Sequence, residues 1–532
     1  MVNPTFSQDL MSESKQILWV DDEIDLLNAH ILYLAQRGYE VTPATNGPDA
    51  ISLAKQRIFD LVLIDESMPA MGGIDVLKEL RIVRPGMPAV MVTKNEAEEL
   101  MEQAIGLKIE GFLTKPVNPS QILSVLKGIL DRRQITAEQI VRRWAEGFAE
   151  LNNLVESELD WQGWLDLHTK ISVWELDLEN WGEVGLSAML RDIRGEADRK
   201  LSRWIESNYA DWIASNKGDR PPFSMDVVDR WLLPLLKEGK PVLFLVVDCL
   251  RLDQWLALEP IVAEYFDVQR EGYFSILPSA TPYARNALFS GLTPAELERI
   301  HPDLWARGDE DEASSNRFER QFLIALLERR GIKLKPDPKY VKVLDVGEAS
   351  DFERKVSDYA SQTLTAMVYN FVDILVHTRQ SVEVLKEMIP DEAAFRSVTR
   401  AWFQHSSLLR ILQGYAQAGA TVLLTSDHGA IRGKRGSSVI GDRQTSTSLR
   451  YKHGRNLKFD AKQAIRIKDA ATWGLPARGI NTEYILARED FYFVYPTNYH
   501  HYLELYRDSF QHGGVSLEEM ALPIVTLRPK IS

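Results

Sequence analysis

A single cysteine, Cys249, stands among the 532 residues, so no intramolecular disulfide can form and the chain suits a reducing compartment. No run approaches the roughly 18 to 20 apolar residues that span a bilayer, and no secretory signal pattern opens the sequence. Together these absences predict a cytoplasmic protein. Internal repeats and low-complexity tracts are missing. So is a helix-turn-helix with a basic recognition helix, which removes a common DNA-binding output. Positive charge is in deficit too: the formal charge is −14, which argues against broad electrostatic binding of nucleic acid. What is present is an ordinary globular composition, 45% hydrophobic and 26% charged. The length allows about three or four domains.

Three textures follow one another. Residues 16 to about 130 alternate apolar runs with helical spacing. QILWVDDE, YEVTPATN, FDLVLIDESMP, PAVMVTKN and GFLTKPVN each read as a strand closing on a turn. That alternation predicts an α/β domain with a doubly wound parallel sheet. Its strand ends carry Asp21 and Asp22, Asp65, Thr93 and Lys115. Three carboxylates converging at one edge repel unless a cation joins them, and an oxygen-ligating ion such as Mg²⁺ meets that need. From about Thr136 to Gly218 helical spacing takes over, with Trp144, Trp164, Trp181, Trp204 and Trp212 among its tryptophans. A helical bundle is expected, its tryptophans mostly core with a minority docking on neighbours. NKGDRPPFS marks a boundary, since two prolines block helix continuation and Ser224 suits an N-cap. Beyond Pro241 apolar runs ending in acids return. The shifts place a flexible start at 1–14, a first α/β domain at 15–133, a helical domain at 134–220 and a larger α/β domain at 221–532.

The large domain holds the densest chemistry. TVLLTSDHG is a buried-type strand that ends in Asp427, His428 and a glycine, and α/β folds place their chemistry just past such ends. VLFLVVD ends the same way at Asp248. In NFVDILVHTR, Asp373 and His377 stand four apart, so one helix face carries both. His512 sits in FQHGG and Thr281 in PSATPYARNALFSG. Three carboxylates, three imidazoles and a hydroxyl suffice for two zinc-type sites with oxygen and nitrogen ligands. Glycine after His428 and after His512 lets the backbone pass close to them.

In that order, Asp248, Thr281, Asp373, His377, Asp427, His428 and His512 resemble the ligand and nucleophile set of the alkaline phosphatase superfamily, in particular its PglZ branch. The likeness runs from about Pro241 to the C-terminus. It implies an alkaline-phosphatase-like fold and Thr281 as nucleophile. It also implies one zinc ion on Asp248, Thr281, Asp427 and His428, and a second on Asp373, His377 and His512. Metal coordination lowers the pKa of such a hydroxyl and presents an alkoxide to phosphorus. Sulfatases of the superfamily carry Cys or Ser at this position for conversion to an aldehyde, so Thr281 argues against sulfatase chemistry. The first domain resembles a response-regulator receiver along its whole length. That implies phosphoryl transfer from a sensor histidine kinase to Asp65, with Mg²⁺ held by Asp22 and Asp65 and Asp21 beside them. Lys115 and Thr93 would meet the phosphoryl oxygens, and Phe112 stands where the family keeps its switch aromatic.

Arg285, one helical turn beyond Thr281, has two readings: a bidentate contact to an anionic substrate, or a structural pair with a carboxylate. The stretch after His428 is basic, with Lys434 and Arg435 at its front and Arg443, Arg450, Lys452 and Arg466 further along. In an acidic chain such a run suits a substrate with several phosphates. A solvated face or a surface for an anionic partner is the rival reading. The whole order resembles response regulators linked to gliding motility and type IX secretion. Two functions fit it. One is a phosphorylation-controlled, zinc-dependent phosphodiesterase acting on oligonucleotides or cyclic nucleotides. The other is a non-catalytic, metal-stabilised adaptor that binds a sigma factor or another protein. Homodimerisation on phosphorylation is expected under the first and compatible with the second.

Overall fold

The computed structural model describes residues 14–530 apart from 85, 95–108, 182–183, 216–219, 306–316 and 443–444; for 131–141, 180–181 and 184 it describes the backbone alone. The expected flexible start up to residue 13, the acidic stretch 308–316, Arg443 and the Trp181 side chain lie outside the described residues. The chain forms two compact units, 1–147 and 148–532. No described helix is long and apolar enough to cross a membrane.

In the first unit, β1 (Lys15–Val20), β2 (Tyr39–Ala44), β3 (Leu61–Asp65), β4 (Ala89–Thr93) and β5 (Gly111–Thr114) make a sheet in the order β2-β1-β3-β4-β5. Every pairing is parallel. Successive side chains face opposite layers: Leu18, Val20, Val62 and Ile64 pack on one side, Ile17, Trp19, Leu61 and Leu63 on the other. Burial on both faces explains why these strands read as unbroken apolar runs. The strand order reverses between β1 and β3, and ligands of such sheets bind at the carboxyl ends beside that reversal.

The second unit contains the helices Trp161–Trp181 and Val184–Ala214. Trp164, Trp204 and Trp212 follow one another with ring centroids 5.9 and 4.5 Å apart. Trp204 also lies 6.0 Å from Phe274 of the large sheet. These three tryptophans therefore seat the helices on their neighbour as well as on one another. Ser224 caps no helix: its Oγ accepts the Ile276 N–H at 3.1 Å, and the first turn from Ser224 is a 3₁₀ helix.

The large sheet consists of β6 (Val242–Val247), β7 (Phe266–Phe274), β8 (Lys339–Val343), β9 (Leu364–Tyr369), β10 (Thr421–Thr425) and β11 (Ala521–Pro529), in the order β7-β11-β10-β6-β9-β8. The strands β10, β6, β9 and β8 run parallel, while β11 is antiparallel to both of its neighbours. Along β6, Leu243, Leu245 and Val247 enter one core and Val242, Phe244 and Val246 the other. This arrangement sets the carboxyl ends of β10, β6 and β9 side by side at one edge.

Candidate metal centre and receiver pocket

Those three strand ends deliver most of the expected ligands. Asp248 follows β6, and Asp427 and His428 lie just past the end of β10. After β9 the helix Phe371–Ser381 carries Asp373 and His377 one turn apart. Thr281 is the first residue of the helix Thr281–Ser290, and His512 follows the short strand Phe510–Gln511. Two trios result, Asp248 with Asp427 and His428, and Asp373 with His377 and His512, each with its ligand atoms within 4.8 Å of one another. The trios adjoin, because the His428 and His512 rings stack with centroids 4.2 Å apart. Thr281 joins the first trio, its Oγ1 lying 2.8 Å from His428 Nε2. The other ring nitrogen, Nδ1, lies 3.1 Å from the Gly429 carbonyl. A carbonyl only accepts, so Nδ1 carries the proton and Nε2 presents its lone pair to the Thr281 hydroxyl.

The donor set fits divalent metal on the structure's own terms. Asp248 Oδ1, Asp427 Oδ2, Asp373 Oδ1 and His512 Nδ1 are buried with no hydrogen bond. Such atoms are costly unless something completes them, and carboxylate oxygens with imidazole nitrogens are what zinc accepts. The electrostatics agree. Burial, and then the Asp248 charge, push the Asp427 carboxyl up to about 7. Burial works the same way on Asp248, but the Arg285 guanidinium and His428 hold it below the usual carboxylate range. For His428, burial favours the neutral ring and is outweighed by Asp427 and Asp248, which raise it. His512 falls well below an ordinary histidine through burial and then through His428 and His377, which keeps it in the neutral, ligating form. Close packing encloses the pair. A Cβ on Gly429 would lie 1.9 Å from the Glu518 carbonyl, and Gly513 adopts φ +116° beside Tyr451.

Arg285 turns out to be the structural arginine, and its substrate-contact reading gives way. It is 1% exposed, hydrogen-bonded to Asp248 and to Glu319, and 3.7 Å from Asp427. Glu319 in turn accepts the Tyr340 hydroxyl. Lys434 and Arg435, the expected substrate-facing pair, both stand in ion pairs. Arg435 bonds Glu489 and Asp490 and lies over the Phe491 ring, and Lys434 sits 3.7 Å from Glu392. Further along, Arg450 is fully buried against Glu519, and Lys452 donates to the Ser446 carbonyl. Lys434 and Arg435 line a charged cavity of about 630 Å³ together with Arg194, Arg251 and Glu518, and none of the seven ligand residues lines it. Acids brought in from other elements pair with Lys434, Arg435 and Arg450.

In the receiver pocket, Asp21, Asp22 and Asp65 gather their carboxylate oxygens within 4.8 Å. Lys115 Nζ reaches Asp65 Oδ2 at 2.8 Å and Asp21 Oδ2 at 2.9 Å, while Asp65 Oδ1 is buried with no hydrogen bond. Burial raises the Asp65 carboxyl more than Lys115 lowers it. The Thr93 hydroxyl donates to Glu66, and Phe112 is half-buried against the core below. Glu66, Glu319 and Tyr340 were not anticipated from the sequence. No local pattern marks them, since each matters through a partner at least 21 residues away.

Comparison with known proteins follows the same division. The response regulator receiver domain family matches residues 17–127, and the PorX response regulator linker domain matches residues 134–213. The BREX system PglZ alkaline phosphatase-like domain matches residues 227–527, more than half of the chain. The chain belongs to the PglZ alkaline phosphatase-like family, joined here to a receiver. Receiver, linker and PglZ domain in this order match a PorX-type response regulator. The receiver is also similar to curated regulators. Identity is 34% over 137 residues to the alginate biosynthesis transcriptional regulatory protein AlgB of Pseudomonas aeruginosa, covering 25% of this chain and 30% of AlgB. It is 32% over 126 residues to the alkaline phosphatase synthesis transcriptional regulatory protein PhoP of Bacillus subtilis, covering 23% of this chain and 52% of PhoP. The chain thus spans between about a third and a half of these relatives' length. Among solved structures, a CheY-like receiver from Methanospirillum hungatei JF-1 is 31% identical, with TM-score 0.22, covering 23% of this chain and 98% of that one. Receivers of this kind are phosphorylated by sensor kinases and bind Mg²⁺, and alkaline phosphatase-like domains use metals.

Proposed function

We propose that the large unit is a zinc-dependent phosphodiesterase with Thr281 as nucleophile, and that phosphorylation of Asp65 by a sensor histidine kinase controls it. The observation that carries this reading is the meeting of Thr281 Oγ1 with His428 at 2.8 Å, beside two adjoining trios of carboxylate and imidazole donors. Asp248, Thr281, Asp427 and His428 would hold one zinc ion, and Asp373, His377 and His512 the other. Bound there, the ions would lower the pKa of a ligating hydroxyl and stabilise charge on phosphoryl oxygens. The chain itself supplies position. Thr281 opens its helix, so the positive end of the helix dipole lies around Oγ1. Arg285 fixes Asp248 from behind. Thr281 Oγ1 forms a bond to phosphorus as the bond to the leaving alcohol breaks, and water then cleaves the phosphothreonine ester.

His377, with 48% of its side chain exposed, leaves one side of the centre open to solvent. A nucleotide-type diester, an oligonucleotide or a cyclic nucleotide, is the proposed substrate, and type IX secretion or gliding motility the proposed process under control. In the receiver, a phosphoryl group on Asp65 with Mg²⁺ draws in Lys115 and Thr93. Pairing of two phosphorylated chains is the proposed consequence, tested by light scattering with beryllofluoride and Mg²⁺. The test of the enzyme is turnover of bis(p-nitrophenyl) phosphate and of short oligonucleotides by the full chain, before and after chelation. Chelator-sensitive hydrolysis is expected. Bound metal with no turnover of any diester would instead favour the adaptor reading, with a sigma factor among the partners to try.

A further inference from the structure

The segment that carries His512 is gripped from the helical middle of the chain. On the helix Val184–Ala214, Arg194, Asp198, Ser202 and Glu206 recur at intervals of four and so share one face. Asp198 Oδ1 accepts the Leu517 N–H at 2.8 Å. Arg194 Nη1 donates to Glu518 Oε1 at 3.0 Å, and the Ser202 hydroxyl to the Val515 carbonyl at 3.4 Å. Glu206 pairs with Arg488 at 2.5 Å. Three of the four contacts thus fall on residues 515–518, a few positions beyond His512.

The gripped segment behaves as one piece. Glu519 accepts the Gly514 N–H at 2.8 Å and the Ser516 hydroxyl at 2.8 Å, and it is paired with the buried Arg450. The same piece meets both trios. It carries His512, and its Glu519 carbonyl accepts the Gly429 N–H at 3.1 Å next to His428. Beside the grip the packing is open. Arg194, Asp198 and Glu518 line the cavity of about 630 Å³, where Arg194 Nη2 and Glu518 Oε2 have no hydrogen-bond partner. Trp204 anchors the helix on the large sheet, and its polar face meets the segment through these contacts beside open space.

We propose that Asp198 is a positioning residue for the Asp373–His377–His512 trio, and that the seating of the helix Val184–Ala214 sets the metal affinity of that trio. The proposal rests on the metal reading given above, and it names a regulation of the same site. Coupling of this kind is reciprocal: a helix that tightens metal binding is itself held more firmly by bound metal.

The full chain is stripped with chelator, dialysed and titrated with zinc chloride against a chromogenic competitor, in wild type and in Asp198→Ala, Asp198→Asn and Glu196→Ala. The equivalent that disappears in His377→Ala identifies the trio in question. Asp198→Ala is expected to weaken that equivalent about tenfold, the scale of an outer-sphere ligand partner, and to leave the other unchanged. Asp198→Asn keeps an oxygen for the Leu517 N–H and should bind within about twofold of wild type, a rescue that general destabilisation would not produce. Glu196, whose pair is Arg199 on the same helix, should have no effect. Zinc should also slow amide exchange at residues 515–518 in wild type. Should Asp198→Ala fail to fold, Ser202→Ala is expected to weaken the same equivalent about threefold while exchange at 515–518 accelerates. Unchanged zinc binding in the folded variant, equal loss at both equivalents, or no rescue by asparagine would each overturn the proposal. Wild type that takes up no zinc would remove the metal reading itself, and this proposal with it.

Discussion

The two trios of the large unit use the same donor types and are closed differently. Asp248, Asp427 and His428 are fully buried, with Arg285 as a built-in counter-ion. In the other trio His377 is nearly half exposed, and Asp373 has imidazoles beside it as its ion-pair partners among the described residues. The lesson is that one half of the centre is sealed and charge-balanced, while the other opens to solvent at His377. The sealed half balances two carboxylates with a guanidinium and holds Thr281 against His428. In the open half the three side chains meet one another, His377 lying 3.3 Å from Asp373 and 3.4 Å from His512, with no guanidinium among their ion-pair partners in the described residues.

The largest expected effect tests the sealed half as the seat of chemistry. Thr281→Val removes the proposed nucleophile while nearly preserving shape. Turnover should fall by at least about 10³-fold in a folded protein, as loss of a nucleophile does. Activity within tenfold of wild type would make water the nucleophile.

Next comes the counter-ion. Arg285→Met would leave Asp248, Asp427 and Glu319 buried without their cation, and removing one partner of such a group costs about 3 to 5 kcal/mol. Chemical denaturation of the chelated protein should show that loss, and zinc should restore part of it by pairing with Asp248 and Asp427. A loss of the same size with and without zinc would separate Arg285 from the metal ligands.

A smaller effect concerns exchange. His377→Ala should abolish binding of one zinc equivalent and leave the second intact, and stripping of wild type by chelator should run in two phases. A single phase would erase the distinction between open and sealed.

The smallest effect is in pH. Asp427 is raised to about 7 in the fold, so the penalty for burying its charge is present above that pH and relieved as pH falls through it toward the unfolded value near 4. His428 is raised as well, and its contribution is present below about 6.5 and lost as pH rises through the higher folded value. Both signs agree: the thermal midpoint of chelated protein should rise by a few degrees between pH 8 and pH 6. Zinc-loaded protein should show no such gain, because the ion stabilises the charged carboxylate.

Much of this centre was legible before any coordinates. Asp248 and Asp427 close apolar runs and so had to emerge at strand ends, and Asp373 with His377 had to share a helix face. The receiver pocket was readable for the same reason. What local pattern could not reveal was neutralisation at a distance. The partners of Arg285 stand 37 and 34 residues away, and the basic run after His428 meets Glu392, Glu489, Asp490 and Glu519 only through tertiary packing. Periodicity alone could not apportion the tryptophans either, since Trp204 packs on two other tryptophans and on Phe274 of the sheet.

The central claim is that both halves hold metal, and the most direct measurement is elemental analysis of the full chain after exhaustive dialysis against metal-free buffer. The account predicts close to two zinc ions per chain, falling to about one in His377→Ala with the fold intact. A folded wild-type chain that carries no divalent metal, and takes none up from micromolar zinc chloride, would contradict it.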